Sequence, residues 1–221
     1  MLYGQEIEVP HLMRVNLLTV SGTEMGIKSS RIEPHWNYLL ALDADLVVLS
    51  RYVEFSDQNF KCFSIEIARI LLAAAAEVDV VCKQLCQKVD ATSSAGKINA
   101  YRTELKASFP VIPKLKVGLP RFGLTLQPWK EWNKADGVPV WWTAYNKVKH
   151  HRHTHYERAS LKNALNAVAG LFVVVLRLYR EKAQSGELVP SPQLLRLDGE
   201  RHVGMAVGAY DIGIAYDIDD R

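Results

Sequence analysis

This sequence of 221 residues has few cysteines, a small net charge and no long hydrophobic run. Each of these features limits the class of protein to which it can belong. The three cysteines are an odd number without the spacing of a disulfide framework, so we expect a reducing, cytoplasmic location. A net charge of +3 is too small to indicate a polyanion partner by itself. The longest apolar run, 167–176, is about half as long as a membrane span requires, so we expect no membrane contact. The first residues have no basic segment followed by a long apolar run, so we expect no signal peptide.

Internal repeats and low-complexity segments are absent, and the dominant pattern is helical periodicity. Apolar residues three or four positions apart predict a first helix from about Glu33 to Val53 and a second from Phe63 to Leu85, with Ser56–Gln58 as the break and N-cap between them. A short helix follows through Ile98–Leu105. A last helix is predicted by an apolar stripe from Leu161 to Tyr179. Its segment Val168–Leu178 is apolar nearly all round, so we expect it to lie at the centre of a bundle or to be covered by a second subunit.

Prolines and glycines between Pro110 and Trp129 exclude a long helix and predict a loop-rich insertion or a small hairpin. Four of the five tryptophans lie between Trp129 and Trp142, where they are expected to pin this insertion to the helices rather than to stack on bases. Short alternating stretches at Met13–Val20 and Gly204–Ile218 predict a small terminal β element. The sequence therefore predicts an all-α bundle at 33–184, an N-terminal extension at 1–32 and an acidic tail at 185–221.

One carboxylate falls on the predicted buried side of the second helix. Glu77 shares that side with Ile70, Ala74 and Val81, at helical spacing. A buried acid needs a partner, so one interpretation is an ion pair with a lysine or arginine. The other interpretation is a carboxylate that faces a functional site and holds in place the residues that contact the ligand.

The segment Trp141–Glu157 combines two tryptophans, three cationic side chains and four of the chain's seven histidines. Three interpretations of this composition remain open. It is typical of a solvated basic surface at a helix end, and of a site that recognises or cleaves a polyanion, with RNA or a nucleotide as the leading candidate. His151 and His155 are one helical turn apart, which would suit a metal ion, but no acid or cysteine completes the set, so we expect no metal and no cofactor.

Two segments together resemble the HEPN superfamily of helical-bundle domains. They are FSIEIARILLAAAAEVD on the early helix and YNKVKHHRHTHYERASLKNALNAVAGLF on the late one. The resemblance covers about 36–182 and is most specific at Trp142–Phe172. It implies an RNA-targeting protein of a prokaryotic defence or toxin–antitoxin type, a homodimer through the late helices and a metal-independent ribonuclease motif. In that motif an arginine precedes a histidine, whereas here Tyr145 stands in the arginine position of the segment Tyr145–His150.

The chemistry of RNA cleavage assigns roles within this segment. Attack by the 2′-hydroxyl requires a group that moves a proton near neutrality and a cation that stabilises the charged phosphorane. Accordingly His150 is expected to be the acid/base and Asn146 to orient it. Positions about 200° apart on a helix face different ways, so Arg152 is not expected to replace the missing arginine beside His150 within one chain. Lys149 is the expected substitute there, and a dimer could instead bring in Arg152 from the partner copy. Tyr145 is expected to position phosphate through its hydroxyl. The side chains expected to contact phosphate or RNA are Lys147, Lys149, His151, Arg152 and His153.

Two functions of different classes follow from these assignments. The first is a metal-independent endoribonuclease. The second is a catalytically inactive HEPN-like domain that binds RNA, a nucleotide or a partner protein such as an antitoxin.

Overall fold

The computed structural model describes residues 33–197 and 214–218, and this part of the protein is mostly helical, with 64% helix and 6% strand. The expected strand at Met13–Val20 lies outside the described residues. The helices are α1 (Pro34–Leu49), α2 (Ile65–Val89), α3 (Ile98–Ser108), α4 (Val140–His155), α5 (Leu161–Leu178) and α6 (Arg180–Ser185). The strands are β1 (Val117–Leu119), β2 (Leu124–Leu126) and β3 (Arg196–Leu197). The predicted helical class is confirmed, with a small three-stranded sheet added.

Helix α5 is the centre of the described structure. Its apolar side chains are buried almost without interruption, and α2 is its most extensive neighbour, with the fully buried Ala74 and Ala75 in the middle of α2. Each fully buried Leu, Val or Phe contributes about 1.5–3 kcal/mol relative to exposure. By length and composition α5 could cross a membrane, but 83% of it is buried inside the protein. It is therefore covered within one chain and does not need a second subunit to cover it.

Several helix ends differ from the predicted ones. Helix α1 ends at Leu49, and the residues to Val53 form turns. The residues 56–58 do not cap α2; they lead into a 3₁₀ turn, and the Ser64 Oγ accepts the first hydrogen bond of α2 from the Ile67 N–H at 3.2 Å. A serine that accepts from the amide three residues later is the usual N-cap arrangement. The chain leaves helical geometry at Tyr179 before α6 begins, and Gly186, with φ of 77°, ends α6.

The insertion after α3 contains the small hairpin. Strands β1 and β2 pair antiparallel, and Gly123 takes the left-handed conformation (φ 62°) in the turn between them. Strand β3 pairs with the other edge of β1, through Val117↔Leu197 and Gly118↔Arg196. The expected strand at 204–218 is described only over 214–218, and those residues form no strand. The terminal strand that is described therefore lies earlier in the chain than predicted.

The tryptophans attach the insertion to the helices, as expected. The Trp141 Nε1 donates to the Pro128 carbonyl at 2.8 Å, and the Trp129 Nε1 donates to the Gly170 carbonyl at 3.2 Å. Trp129 also packs edge-on against Trp141, with ring centroids 5.3 Å apart. Trp132 is fully buried beside Trp129. The insertion, α4 and α5 are thus joined by buried rings, of which Trp129 and Trp141 also make hydrogen bonds.

The buried core extends past the predicted division at residue 184. Leu194, Tyr216 and Ile218 are all buried, and the Tyr216 N–H donates to the Ala183 carbonyl at 2.9 Å. The Arg177 guanidinium on α5 is 1% exposed and donates to the Ile218 carbonyl at 2.7 Å. The Asp43 carboxylate on α1 accepts from the backbone N–H groups of Gln193 and Leu194 at 2.6 and 3.1 Å. A buried guanidinium and a buried carboxylate both need such partners, which the tail supplies.

Candidate functional site

The candidate site lies on α4, whose two halves differ in how they are held. Its first half is anchored by a buried face of Trp141, Trp142, Ala144, Tyr145 and Val148. No apolar residue continues that face, and every side chain from Lys149 to Thr154 is exposed. The apolar first half of α4 is therefore packed against the protein. The basic, histidine-rich second half is exposed to solvent.

Helix α4 is kinked within the histidine cluster. His151 has φ of −139° and ψ of 42°, which are not helical values. The Thr154 hydroxyl donates to the His151 carbonyl at 3.2 Å, which satisfies a backbone oxygen at the kink. Residues after His151 consequently do not follow the regular step of about 100° per residue that an undistorted helix would give.

His150 and Arg152 lie on either side of the kink and line one cavity. A cavity of about 690 Å³ lies between α4 and α2. Its lining residues are Leu72, Val148, Lys149, His150, Arg152, His153 and Tyr156. Arg152 lines this cavity as well as His150, although the two positions are about 200° apart on a regular helix. One chain therefore brings two imidazoles and two permanent cations to a single cavity.

A second, smaller cavity adjoins the first. Its volume is about 320 Å³ and its lining residues are Ile98, Val138, Trp142, Thr143, Asn146, Lys147, His150 and His151. His150 lines both cavities. The predicted RNA-contacting residues are thus divided between two adjacent depressions, with His150 at their boundary.

The cationic side chains of the site have no acidic partners in the part of the chain that the structure describes. No carboxylate there lies within 4.0 Å of Lys147, Lys149 or Arg152. The nearby Glu157 is paired with Arg158, at 3.8 Å. Exposed cations without counter-charges attract polyanions, because binding neutralises phosphates and releases their counterions.

Tyr145 does not line either cavity, and it acts on the site through Lys149. Its ring is buried, at 6% exposure, and packs against Trp142 with ring centroids 5.5 Å apart. The Lys149 Nζ donates to the Tyr145 hydroxyl at 3.2 Å and lies 5.4 Å from the centre of the ring. The tyrosine hydroxyl is therefore engaged by Lys149, and Tyr145 fixes the position of a cation that lines the larger cavity.

Asn146 lines the smaller cavity, but it does not hydrogen-bond to His150. Its Nδ2 donates to the Trp142 carbonyl at 3.2 Å, one turn earlier in α4. An amide has two N–H donors and an oxygen acceptor, so one donor and the acceptor remain for a ligand. The expected orientation of His150 by Asn146 is not made in this structure.

Glu77 belongs to a different part of the molecule. Its Oε1 lies 2.5 Å from the Nδ1 of His35 on α1, and the Nε2 of His35 lies 3.1 Å from the Oε1 of Gln84. Glu77 is therefore paired, as one interpretation required, but its partner is a histidine and not a lysine or arginine. It makes no hydrogen bond to the residues of α4 in the described structure.

The imidazole rings of the histidine cluster do not converge on one point. The ring of His151 lies 6.3–6.4 Å, centre to centre, from those of His150, His153 and His155. In the described ranges, no group of three or more His, Cys, Asp or Glu side chains converges as a metal ion would require.

Seven residues that line the two cavities were not predicted as site residues, and three of them, Trp142, Thr143 and Val148, lie on α4 among the predicted ones. Leu72 and Tyr156 line the larger cavity, and Ile98 and Val138 line the smaller one. Leu72 falls outside the apolar stripe that the sequence predicts for the second helix, and Ile98 belongs to a different helix. Tyr156 lies in the segment Trp141–Glu157, and that position was the only feature of the sequence that could have indicated a place in the site.

No protein-family model, curated protein or solved structure matches the chain. The resemblance to the HEPN superfamily therefore rests on the quoted residues.

Proposed function

We propose that this protein binds RNA through α4 and cleaves its backbone without a metal ion. The observation that carries the proposal is the 690 Å³ cavity, where His150 and His153 lie together with Lys149 and Arg152. RNA cleavage by its own 2′-hydroxyl needs two proton transfers and stabilisation of negative charge. These four side chains are of the types that this reaction uses.

The proposed reaction is a transesterification. One imidazole takes the proton from the 2′-hydroxyl as its oxygen attacks phosphorus. The other imidazole gives a proton to the departing 5′-oxygen, so the products are a 2′,3′-cyclic phosphate and a 5′-hydroxyl. Histidine is suited to both roles because its neutral and protonated forms interconvert near neutral pH.

The cations stabilise the phosphorane and place the strand. Lys149 and Arg152 share the cavity with the two imidazoles, and Tyr145 holds Lys149 by a hydrogen bond. Charge stabilisation of this kind is often the largest single contribution to catalysis. Lys147 and His151, in the adjoining cavity with Asn146, contact the neighbouring nucleotide.

The test is cleavage of single-stranded RNA in the presence of EDTA. We expect His150→Ala and His153→Ala each to lower the rate by about 10²–10⁴-fold, the usual contribution of an acid or base. His155→Ala is the matched control, since His155 is on the same helix but lines neither cavity. The wild-type products should carry 2′,3′-cyclic phosphate ends.

Cleavage that is equal in the wild type and the two cavity variants would refute the catalytic assignment. A rate that depends on added metal would contradict the proposed chemistry. Equal losses in the His155 variant would show that the effect is structural.

A second candidate is binding without turnover, and Tyr145 is the observation that favours it. The HEPN motif has an arginine at the position of Tyr145. Tyr145 has no cationic group and is buried. This function predicts RNA binding that weakens with salt, with a smaller salt slope in Lys147→Ala and Lys149→Ala, yet no cleavage. Lys134→Ala is the control, because Lys134 is exposed and lines neither cavity. An absence of salt-sensitive binding would refute both candidates.

A HEPN-like fold, a defence or toxin-type role and a homodimer remain part of the proposal. Since α5 is covered within one chain, a second copy would have to approach the exposed part of α4. Two facing copies would place two sets of His150 and Arg152 across one cleft. Sedimentation of the wild type and of Arg152→Glu tests this arrangement, because two facing cationic surfaces repel each other and a charge reversal at their contact would raise the dimer fraction.

A further inference from the structure

A groove separate from the α4 site lies beside the N-terminal end of α5. Four segments line it, namely 57–63, 125–131, 140–141 and 157–166. Its volume is about 1060 Å³, larger than both cavities of the α4 site. Small-molecule sites in proteins commonly measure about 300–1000 Å³, so the groove can hold a whole organic ligand.

The walls of the groove are bonded to one another. The N–H groups of Leu161 and Lys162 donate to the carbonyls of Cys62 and Phe60 at 2.8 and 3.2 Å, and Phe63 forms an antiparallel bridge with Ser160. On the opposite wall, Trp141 is tied to Pro128 by its indole N–H. A ligand would thus meet a preformed groove, and little ordering free energy would oppose binding.

Apolar groups form much of its surface. Trp141 and Leu126 are buried at its base, while Phe63 and Val140 remain 46% and 61% exposed at its edge. Large apolar side chains left open beside a preformed depression are typical of ligand sites and interaction surfaces. The ring of Phe60 lies in the same groove.

The charged groups of the groove carry a small excess of positive charge. Four cations (Lys61, Lys130, Arg158, Lys162) face three carboxylates (Asp57, Glu131, Glu157), an excess of one positive charge. Arg158 and Glu157 pair with each other at 3.8 Å.

The three lysines of the groove, Lys61, Lys130 and Lys162, have no carboxylate within 4.0 Å in the described ranges. The Nζ of Lys162 lies instead 5.8 Å from the centre of the Phe60 ring. A cation is thus held directly beside an aromatic surface.

Two amides add hydrogen-bonding groups next to Lys162. Asn163 and Asn166 each donate one N–H to a backbone carbonyl, of Arg158 and Lys162 respectively. Each amide keeps one donor and its oxygen for a ligand. The first turn of α5 contains no acidic residue, so an anion here would also be favoured by the helix dipole.

We propose that this groove binds a small organic anion, a molecule with an apolar ring body and one carboxylate, sulfonate or phosphate group. The ring body packs on Phe60, Phe63 and Trp141, and the anionic group lies against Lys162. This binding is independent of the proposed RNA chemistry, because no residue of the groove lines either cavity of the α4 site.

The test compares two fluorescent probes of the same shape, anilinonaphthalene sulfonate and the uncharged phenylnaphthylamine, by titration into the full chain. We expect saturable binding of one sulfonate per chain, about tenfold tighter than binding of the neutral probe. That factor corresponds to about 1.4 kcal/mol, within the range of one charge-assisted contact. His150→Ala should bind both probes as the wild type does.

Variants locate the binding site. Lys162→Met should weaken the sulfonate about fivefold and leave the neutral probe unchanged, whereas Phe63→Ala should weaken both probes. Lys134→Met, an exposed lysine outside the groove, is the matched control and should change neither. Circular dichroism should show the same helix content in all variants.

The proposal is overturned if the sulfonate fails to saturate at one site. It is also overturned if the two probes bind equally, or if Lys162→Met and Lys134→Met have the same effect. RNA cleavage is measured separately, so failure of one proposal leaves the other standing.

Discussion

The contact between Gly170 and Trp141 gives a quantitative prediction for Gly170→Ala. A Cβ added at Gly170 would lie 3.0 Å from the Cζ2 and 3.5 Å from the Cη2 of Trp141. Gly170 is inside α5, where alanine is favoured over glycine by about 1 kcal/mol. Overpacking a filled core costs about 1–3 kcal/mol. The outcome depends on whether Trp141 can move away.

The surroundings of Trp141 indicate that it cannot. Its indole N–H is bonded to the Pro128 carbonyl, and its ring packs edge-on against both Trp129 and Trp142. We therefore expect Gly170→Ala to lower the free energy of unfolding by about 1 kcal/mol, the overpacking cost less the helix gain. For a chain of this size that corresponds to a melting temperature lower by roughly 2–4 °C.

A double-mutant cycle with Trp141→Phe isolates the contact. Phenylalanine lacks the outer ring atoms that the added methyl would meet, so Gly170→Ala should stabilise that background by about 1 kcal/mol. The coupling between the two sites should then be about 2 kcal/mol, measured by urea unfolding of the four proteins followed by circular dichroism. Gly118→Ala, whose Cβ would meet nothing closer than 3.9 Å, is the control for clash. If Gly170→Ala is equally stabilising in both backgrounds, the close contact with a fixed Trp141 is refuted.

Two further predictions concern ionisable groups in the core. Burial raises the pKa of the Cys86 thiol to about 12, with Glu104 adding to the shift, and raises that of the fully buried Cys82 well above its usual value. The thiolate is the reactive form, so a thiol reagent at pH 8 should modify only Cys62 in the folded protein and all three cysteines in urea; three fast thiols in the native protein would contradict this. Asp43→Ala removes the acceptor of the Leu194 N–H and should lower the free energy of unfolding by about 1–3 kcal/mol. Burial raises the pKa of Asp43 in the folded protein above 3.8, the value for an unperturbed aspartate. The stabilising contribution of Asp43 is therefore complete below pH 3.8 and is lost as pH rises through the pKa of the folded state. The stability gap between wild type and Asp43→Ala should therefore narrow with rising pH, and a gap that widens would show that the N–H donors outweigh burial.

The helices that could be predicted from the sequence are those that bury one continuous face. Apolar spacing placed α2 and α5, and the tryptophans and prolines indicated a pinned insertion with a hairpin. The break at Tyr179 and the true cap at Ser64 were missed, because each depends on local backbone geometry that apolar spacing does not encode. The contribution of the tail was also missed. Arg177 and Asp43 take partners more than forty residues away along the chain, which no local pattern reveals.

The residues of the candidate site were found from composition, but their arrangement was not. Lysine, arginine and histidine in the segment Trp141–Glu157 indicated a basic surface, and the structure places them in solvent. The sequence did not predict that His150 and Arg152 line one cavity, because positions two apart on a helix are separated by about 200°. The groove beside α5 was not predicted at all, since its four segments are distant in sequence and each looks ordinary alone.

The contact between α5 and the residues near Ile218 has a consequence for synthesis of the chain. The carbonyl that accepts from Arg177 belongs to a residue made 41 positions later. At roughly 5–20 residues per second, the last partner of α5 is synthesised about 2–8 s after the helix itself. Throughout that interval the most apolar helix of the described structure lacks part of its cover, and incompletely covered apolar surface is prone to aggregation. In the described structure, the cover of α5 is therefore complete only after residue 218 has been synthesised and has packed beside Arg177.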